Sequence, residues 1–333
     1  MVFNGCQNMS KSADEKKTAA KRNWLAPVKP EKMSWGHWLI RRLAVIFVLA
    51  TVILIGGGLI FKDELIFHPY REVDATPKNY GYDFKEVWLQ TADGLRVKAW
   101  DIPAEPGERR EAVLFFQGNS GNMGHIMAQL MTLRSLGLTV MAIDYPGYGE
   151  SEGRPTVDSV YQTAEALWQY ALSRGFTSEN IIIYGFSLGG GVASYLTEKH
   201  PPAALVLDST FTRLRDVPSE HLPFLKPYLK LVLGDILDTK SRLANIHCPL
   251  LVLHSPDDTV VPYDLGRDLF ETYQGGSKEM VTGHGGHMDF LLNQKLYSDG
   301  LQKLMDTAWP PPHNSMCPPG SFTAMGPHFL FCY

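Results

Sequence analysis

The chain has 333 residues, 44% of them apolar and 20% charged, with a formal net charge of −4. That composition supplies a sizeable core and excludes a wholly disordered chain, and the absence of a basic footprint leaves no nucleic-acid partner to expect. Its cysteines, Cys6, Cys248, Cys317 and Cys332, are too few for a disulfide scaffold and form no Cys-x-x-Cys pair, so no metal site is expected. Cys248, beside Pro249 at the head of an apolar run, reads as a buried thiol. Cys317 and Cys332 would pair only in an oxidising compartment.

Residues 1–34 are polar and Lys-rich and read as disordered, with Met9 and Met33 as alternative starts. Leu43–Phe61 carries no charge. At ~1.5 Å per residue such a helix crosses a hydrocarbon core of ~30 Å. Arg41 and Arg42 precede it, and Trp35 and Trp38 stand where an interfacial belt would lie. A signal-peptide core is shorter, and no Ala-x-Ala cleavage site follows. The expectation is a polar arm over 1–42 and a single-pass membrane anchor over 43–61. Residues 1–42 hold nine Lys or Arg against three acids, which favours a cytoplasmic N-terminus and an extracytoplasmic domain after the span. The nearest 20 residues on each side, with four basic residues before the span and three after it, weaken that asymmetry.

A globular pattern follows over 62–308. Phe84–Gln90 and Leu95–Ile102 read as strands joined by a turn at Ala92-Asp93-Gly94. Ala112–Phe116, Thr139–Ile143, Ile181–Tyr184, Ala204–Leu207, Leu250–His254 and Glu279–Thr282 are further short strands. Most are continuous apolar runs, as in strands covered on both faces. Ile126–Leu136, Val157–Ser173, Gly189–Lys199 and Asp264–Tyr273 read as helices between them. This alternation predicts an α/β fold with a mostly parallel, doubly wound sheet. Residues 210–245, apolar but broken by Pro218, Pro223 and Pro227, read as a small helical cap over the carboxyl edge of the sheet, where such folds bind ligands. Residues 309–333 hold six prolines and no charge and read as a poorly ordered tail.

Gly185-Phe186-Ser187-Leu188-Gly189 carries the chemistry. The run Ile181–Tyr184 ahead of it reads as a strand and the residues behind it as a helix start, which is the strand–turn–helix setting of a Gly-x-Ser-x-Gly nucleophile. A sharp turn lifts the serine hydroxyl above the sheet, and the helix N-terminus beneath favours developing negative charge. A serine hydroxyl needs a base to become nucleophilic. Asp257 and Asp258 follow the strand Leu250–Leu253, and Asp208 ends the strand before it; any of the three could supply the acid. His284 and His287, in a Gly-rich loop after the last strand, are candidates for the base. Gly118-Asn119-Ser120-Gly121 leaves a strand into a Gly-rich turn, so the backbone N–H of Asn119, beside that of Leu188, is the candidate oxyanion hole. The turn lacks the Gly-Lys-Ser/Thr ending of a nucleotide loop.

Together these segments resemble the α/β-hydrolase superfamily, and within it the membrane-tethered abhydrolase-domain serine hydrolases. The resemblance spans roughly Lys62–Thr307. It is carried by Gly-Asn-Ser-Gly-Asn at 118–122, Asp144-Tyr145-Pro146-Gly147-Tyr148-Gly149 with Ser151, the elbow at 185–189, Asp208-Ser209-Thr210-Phe211, the Asp258–Pro262 segment and Gly286-His287. It implies the α/β-hydrolase fold, with Ser187 as nucleophile, Asp258 as acid and His287 as base. Asp144 and Tyr148 fall in a turn read as structural. Gln117 stands where the family usually has His, and Pro146 where it commonly has Arg. Gln can still hydrogen-bond within the loop.

The expected function is cleavage of a carboxylic ester or thioester through an acyl-enzyme, without metal or organic cofactor. The anchor and the Leu- and Phe-rich cap favour a lipid-like or acyl substrate. A serine peptidase of prolyl-peptidase type, and a non-catalytic membrane-anchored binder on the same fold, are the alternatives. A halide or epoxide hydrolase would want aspartate at position 187.

Overall fold

A computed structural model describes residues 34–108 and 110–310. The expected arm before Ser34, the tail beyond Pro310, the start sites Met9 and Met33, and Cys6, Cys317 and Cys332 lie outside the described residues. Contacts divide the chain between Gly57 and Gly58 into two units.

Helix α1, Trp35–Ile60, is 26 residues long. It is long and apolar enough to cross a membrane. It starts eight residues before the expected span, because no proline interrupts Trp35–Leu43, and so includes Arg41 and Arg42. Arg42 lies over the Trp38 ring at 5.3 Å. A short helix, Lys62–Ile66, follows.

The second unit is built on eight strands: β1 Lys85–Gln90, β2 Arg96–Ile102, β3 Ala112–Phe116, β4 Thr139–Ile143, β5 Ile181–Phe186, β6 Ala204–Asp208, β7 Leu250–His254 and β8 Lys278–Thr282. They form one sheet in the order β8-β7-β6-β5-β3-β4-β2-β1. Every pairing from β4 to β8 is parallel, while β2 runs antiparallel to both β1 and β4. Strands β3 to β7 are buried along their whole length, as their unbroken apolar runs require. Edge strand β1 alternates, turning Val87 and Leu89 inward.

Helices cover both faces. On one side α3 (Val157–Ser173), α4 (Leu188–Lys199) and α5 (Tyr263–Thr272) pack Leu167, Val192, Leu196 and Leu269 against Leu114, Ile183 and Leu207. On the other, α2 (Met127–Ser135) and α6 (Gln294–Ala308) pack Leu130, Leu133, Leu301 and Leu304 against Val113, Val140 and Val206. Thr156 caps α3 reciprocally with Ser159, which sets its start.

The stretch 210–245 forms short helices at Asp216–His221, Lys226–Leu233 and Thr239–Arg242. Pro223 and Pro227 sit at helix starts, where a missing N–H costs nothing. Helix α6 is absent from the sequence expectation, although Tyr297, Leu301 and Leu304 recur at helical spacing and are buried. Beyond it, the Trp309 indole donates to the Glu179 carbonyl at 2.7 Å. Cys248 is half-buried, and burial pushes its thiol up to about 12.

Leu301 is 1% exposed on the sheet-facing side of α6. Leu301→Ala should therefore lower the unfolding free energy by about 2–5 kcal/mol. Denaturant unfolding of the full chain measures this, and an unchanged midpoint would contradict the packing.

Candidate active site

Strand β5 ends at Phe186 and α4 begins at Leu188, so Ser187 alone makes the turn. Its backbone adopts φ 53°, ψ −120°, a left-handed φ that non-glycine residues rarely take. Two close approaches explain the flanking glycines. A Cβ at Gly185 would lie 2.3 Å from the Gly189 carbonyl oxygen, and one at Gly189 would lie 2.0 Å from that of Phe116. The elbow is pinned from outside. Ser187 N–H donates to the Asp208 carbonyl at 2.8 Å, and Thr210 Oγ1 donates to the Ser187 carbonyl at 2.6 Å.

The strand order delivers the other groups. β7 leads to Asp258 and β8 to His287, beyond the same sheet edge as Ser187. His287 Nε2 lies 2.9 Å from Ser187 Oγ, and His287 Nδ1 lies 2.7 Å from Asp258 Oδ2. An ionised carboxylate only accepts, so Nδ1 donates. Nε2 of the neutral ring is then left to accept from the serine hydroxyl. Asp258 Oδ1 also accepts the N–H groups of Val260 and Val261, both at 2.9 Å. Burial alone would raise this carboxyl. Hydrogen bonds from His287 and the Val261 N–H, with His254 Nε2 close by, outweigh burial and hold it well below the usual carboxylate range.

The competing candidates point elsewhere. Asp257 Oδ2 accepts from Gly285 N–H at 3.2 Å. Asp208 is buried and accepts from Tyr184 Oη at 2.7 Å and Ser209 Oγ at 3.2 Å. His284 is tied through its backbone to the Asn293 side chain at 2.8 and 2.7 Å. Of the three acids, Asp258 is the one hydrogen-bonded to His287.

Gly118 passes directly beside Ser187; a Cβ there would lie 3.4 Å from Ser187 Cβ. Asn119 follows it, and Leu188, at the first position of α4, has an N–H with no partner inside the helix. Gln117, in the usual histidine position, donates through Nε2 to Asp144 Oδ1 at 2.8 Å. A cleft of about 370 Å³ opens over these residues, with Tyr70, His125, Ile126, Phe186 and Met288 in its walls beside Ser187 and His287. Among the described residues, no group of three or more His, Cys, Asp or Glu side chains could hold a metal ion.

Sequence reasoning passed over His254, read only as the end of β7. Its Nε2 lies 2.9 Å from the Val261 carbonyl and 3.4 Å from Asp258 Oδ2. It also passed over His68–Pro69, which pairs in parallel with Ser120–Gly121 and braces the Asn119 loop. The His at the head of His254-Ser255-Pro256-Asp257-Asp258 was a usable signal, whereas a two-residue pairing carries none.

A family model described as the alpha/beta hydrolase fold matches residues 111–236. An uncharacterized protein of Mycobacterium tuberculosis is 31% identical over 273 residues, covering 80% of this chain and 96% of that protein. The alpha/beta hydrolase domain-containing protein WAV2 of Arabidopsis thaliana is 30% identical over 241 residues, covering 66% of this chain and 78% of its own. The chain belongs to the α/β-hydrolase family. The lysophosphatidylserine lipase ABHD12 of Danio rerio is similar at 30% identity over 295 residues, or 74% of this chain and 75% of that one. Among solved structures, the Pyrococcus furiosus esterase Pf2001 shares the hydrolase fold, with a TM-score of 0.61 and 20% identity over 73% of this chain and 98% of its own.

Burial raises Asp208 from 3.8 to about 6. Between those values the folded state holds the proton that the unfolded chain has released. Stability from this group is therefore full below 3.8 and lost as pH rises through about 6. Asp208→Asn, which cannot titrate, should cost less stability at pH ~8 than at pH ~4. Thermal melts at the two pH values test this, and an equal or reversed cost would contradict it.

Proposed function

We propose that this α/β-hydrolase is a serine hydrolase of carboxylic esters, with Ser187 as nucleophile, His287 as general base and Asp258 as the orienting acid. The observation that carries the reading is the unbroken pair of hydrogen bonds, 2.9 Å from Ser187 Oγ to His287 Nε2 and 2.7 Å from His287 Nδ1 to Asp258.

In the proposed reaction Ser187 Oγ bonds to the acyl carbon while its proton passes to His287 Nε2. Asp258, ionised at neutral pH, stabilises the resulting imidazolium. The carbonyl oxygen takes the negative charge and is met by the N–H groups of Asn119 and Leu188. Collapse breaks the bond to the alkoxy group, which leaves with the proton from His287. Water then attacks the acyl-enzyme by the same steps and frees the acid and Ser187.

A lipid-like acyl substrate is supported by the partly apolar cleft, by helix α1, and by relatives whose names describe a lysophosphatidylserine lipase and an esterase. In this reading residues 43–61 hold the chain in the membrane, 62–308 form the hydrolase domain with a cap at 210–245, and the domain faces away from the cytoplasm. Thioester and prolyl-peptidase-type chemistry would use the same three side chains. A non-catalytic binder would leave them idle.

A fluorophosphonate probe should label the wild-type chain and leave Ser187→Ala unlabelled; equal labelling of both would end the assignment. His287→Ala should lower turnover of a p-nitrophenyl ester by ~10⁴-fold or more. Across a p-nitrophenyl ester series, each added methylene should raise kcat/KM up to about fourfold until the cleft is full, from ~0.8 kcal/mol per CH₂. A flat series would remove the lipid-like substrate, and no turnover on any ester or thioester would favour the binder.

A further inference from the structure

The turn Asp144–Gly149 lies outside the three-residue relay, yet it contacts the Asn119 loop at both ends and in the middle. Asp144 Oδ1 accepts from Gln117 Nε2 at 2.8 Å and from Met123 N–H at 2.9 Å. One carboxylate oxygen thus joins the first and last residues of the segment 117–123. Tyr145 Oη donates to the Gln117 carbonyl at 2.9 Å, and Tyr148 Oη donates to the Asn119 carbonyl at 2.5 Å. Asp144, Tyr145 and Tyr148 are each at most 1% exposed, so water cannot replace these bonds.

The turn is itself held rigidly. Gly149 has φ +49°, and a Cβ there would lie 2.2 Å from Asp144 Oδ2. Ser151 Oγ donates to the Asp144 carbonyl at 3.0 Å, and the Tyr145 and Tyr148 rings meet edge to face at 5.6 Å. From the other side, His68 N–H donates to the Asn119 carbonyl at 2.8 Å, and Asn119 Nδ2 donates to the Ile66 carbonyl at 3.1 Å. The Asn119 carbonyl is therefore gripped by two donors from separate segments. With Tyr145 holding the Gln117 carbonyl on one side and this grip holding the Asn119 carbonyl on the other, the peptide between them that carries the Asn119 N–H is restrained from both ends.

We propose that Asp144 and Tyr148 are positioning residues for the oxyanion hole, setting the Asn119 N–H where negative charge develops on the substrate oxygen. This rests on the serine mechanism proposed above and adds a function to a turn that sequence alone presents as structural. Neither side chain touches substrate. Their effect is confined to charge that exists only in the transition state, because a displaced donor costs rate far more than it costs ground-state binding. Tyr148 is the cleaner probe, since Phe removes a single donated bond and keeps the ring packing. Asp144→Ala removes the oxygen that joins Gln117 to Met123.

The test uses the full chain in detergent micelles with p-nitrophenyl butyrate. It adds two ketones of equal chain length, a trifluoromethyl ketone whose serine adduct carries an oxyanion and a methyl ketone that binds without one. Tyr148→Phe should lower kcat about tenfold, a fraction of the ~10²–10³ lost when an oxyanion donor is removed outright. KM and methyl-ketone inhibition should stay within about twofold, and trifluoromethyl-ketone inhibition should weaken by the factor lost in kcat. Asp144→Ala should show the same split. The role is overturned if both variants keep wild-type kcat, or if both ketones and KM change together with a fall in melting temperature. Ser187→Ala separates this from failure of the mechanism. An active Ser187→Ala sinks the serine reading, whereas an inert one beside unaffected Tyr148→Phe and Asp144→Ala sinks only the positioning role.

Discussion

A single residue reverses the chain between β5 and α4, and the geometry of the site follows from that constraint. The reversal demands a left-handed φ at Ser187, and it brings the backbone of Gly189 so near Phe116 that no side chain fits. Strand β3 is the neighbour of β5, so the loop leaving β3 is forced against Ser187. The same arrangement that lifts the hydroxyl therefore brings Gly118 and Asn119 beside it. Bonds from the Asp208 backbone and the Thr210 side chain hold the strain in place, and both come from β6 and the turn after it.

Three buried carboxylates show how hydrogen bonding sorts charge where water is absent. Asp258 accepts two backbone N–H groups and His287, with His254 close by, and is held well below the usual range. Asp208 accepts two hydroxyls and sits at about 6. Asp144 accepts one backbone N–H and one amide, and burial takes it to about 7. The carboxylate with the most donors is the one bonded to His287 and fit to stabilise an imidazolium at neutral pH. His254 contributes to that difference from the interior: the Val261 carbonyl only accepts, so its Nε2 carries the proton beside Asp258.

Much of this was readable in the chain. The strands β3 to β7 announce themselves as unbroken apolar runs because each is covered on both faces, and the elbow is marked by glycines that no other residue could replace. The choice among Asp208, Asp257 and Asp258, and between His284 and His287, was not readable from spacing. It depends on where each loop points after its strand, and a family resemblance had to supply it. Helix α6 was missed although Tyr297, Leu301 and Leu304 repeat at helical spacing; Gly300 in its middle, pressed against Val281, disguises it. The His68–Pro69 pairing and the bonds from Tyr145 and Tyr148 to the Asn119 loop join segments tens of residues apart and leave no local trace.

The chain joins a helix able to cross a membrane to a hydrolase fold whose cleft is walled partly by Tyr70, Ile126, Phe186 and Met288. Such a cleft can take an acyl group beside Ser187, and the proposed chemistry stands or falls on that serine. The most direct measurement is mass spectrometry of peptides from the full chain, acid-quenched during the first turnover of a p-nitrophenyl ester. An acyl mass on the peptide at Ser187, present during turnover and lost as substrate runs out, is the predicted result. Turnover with no acylated peptide, or with the acyl group on another residue, would contradict it.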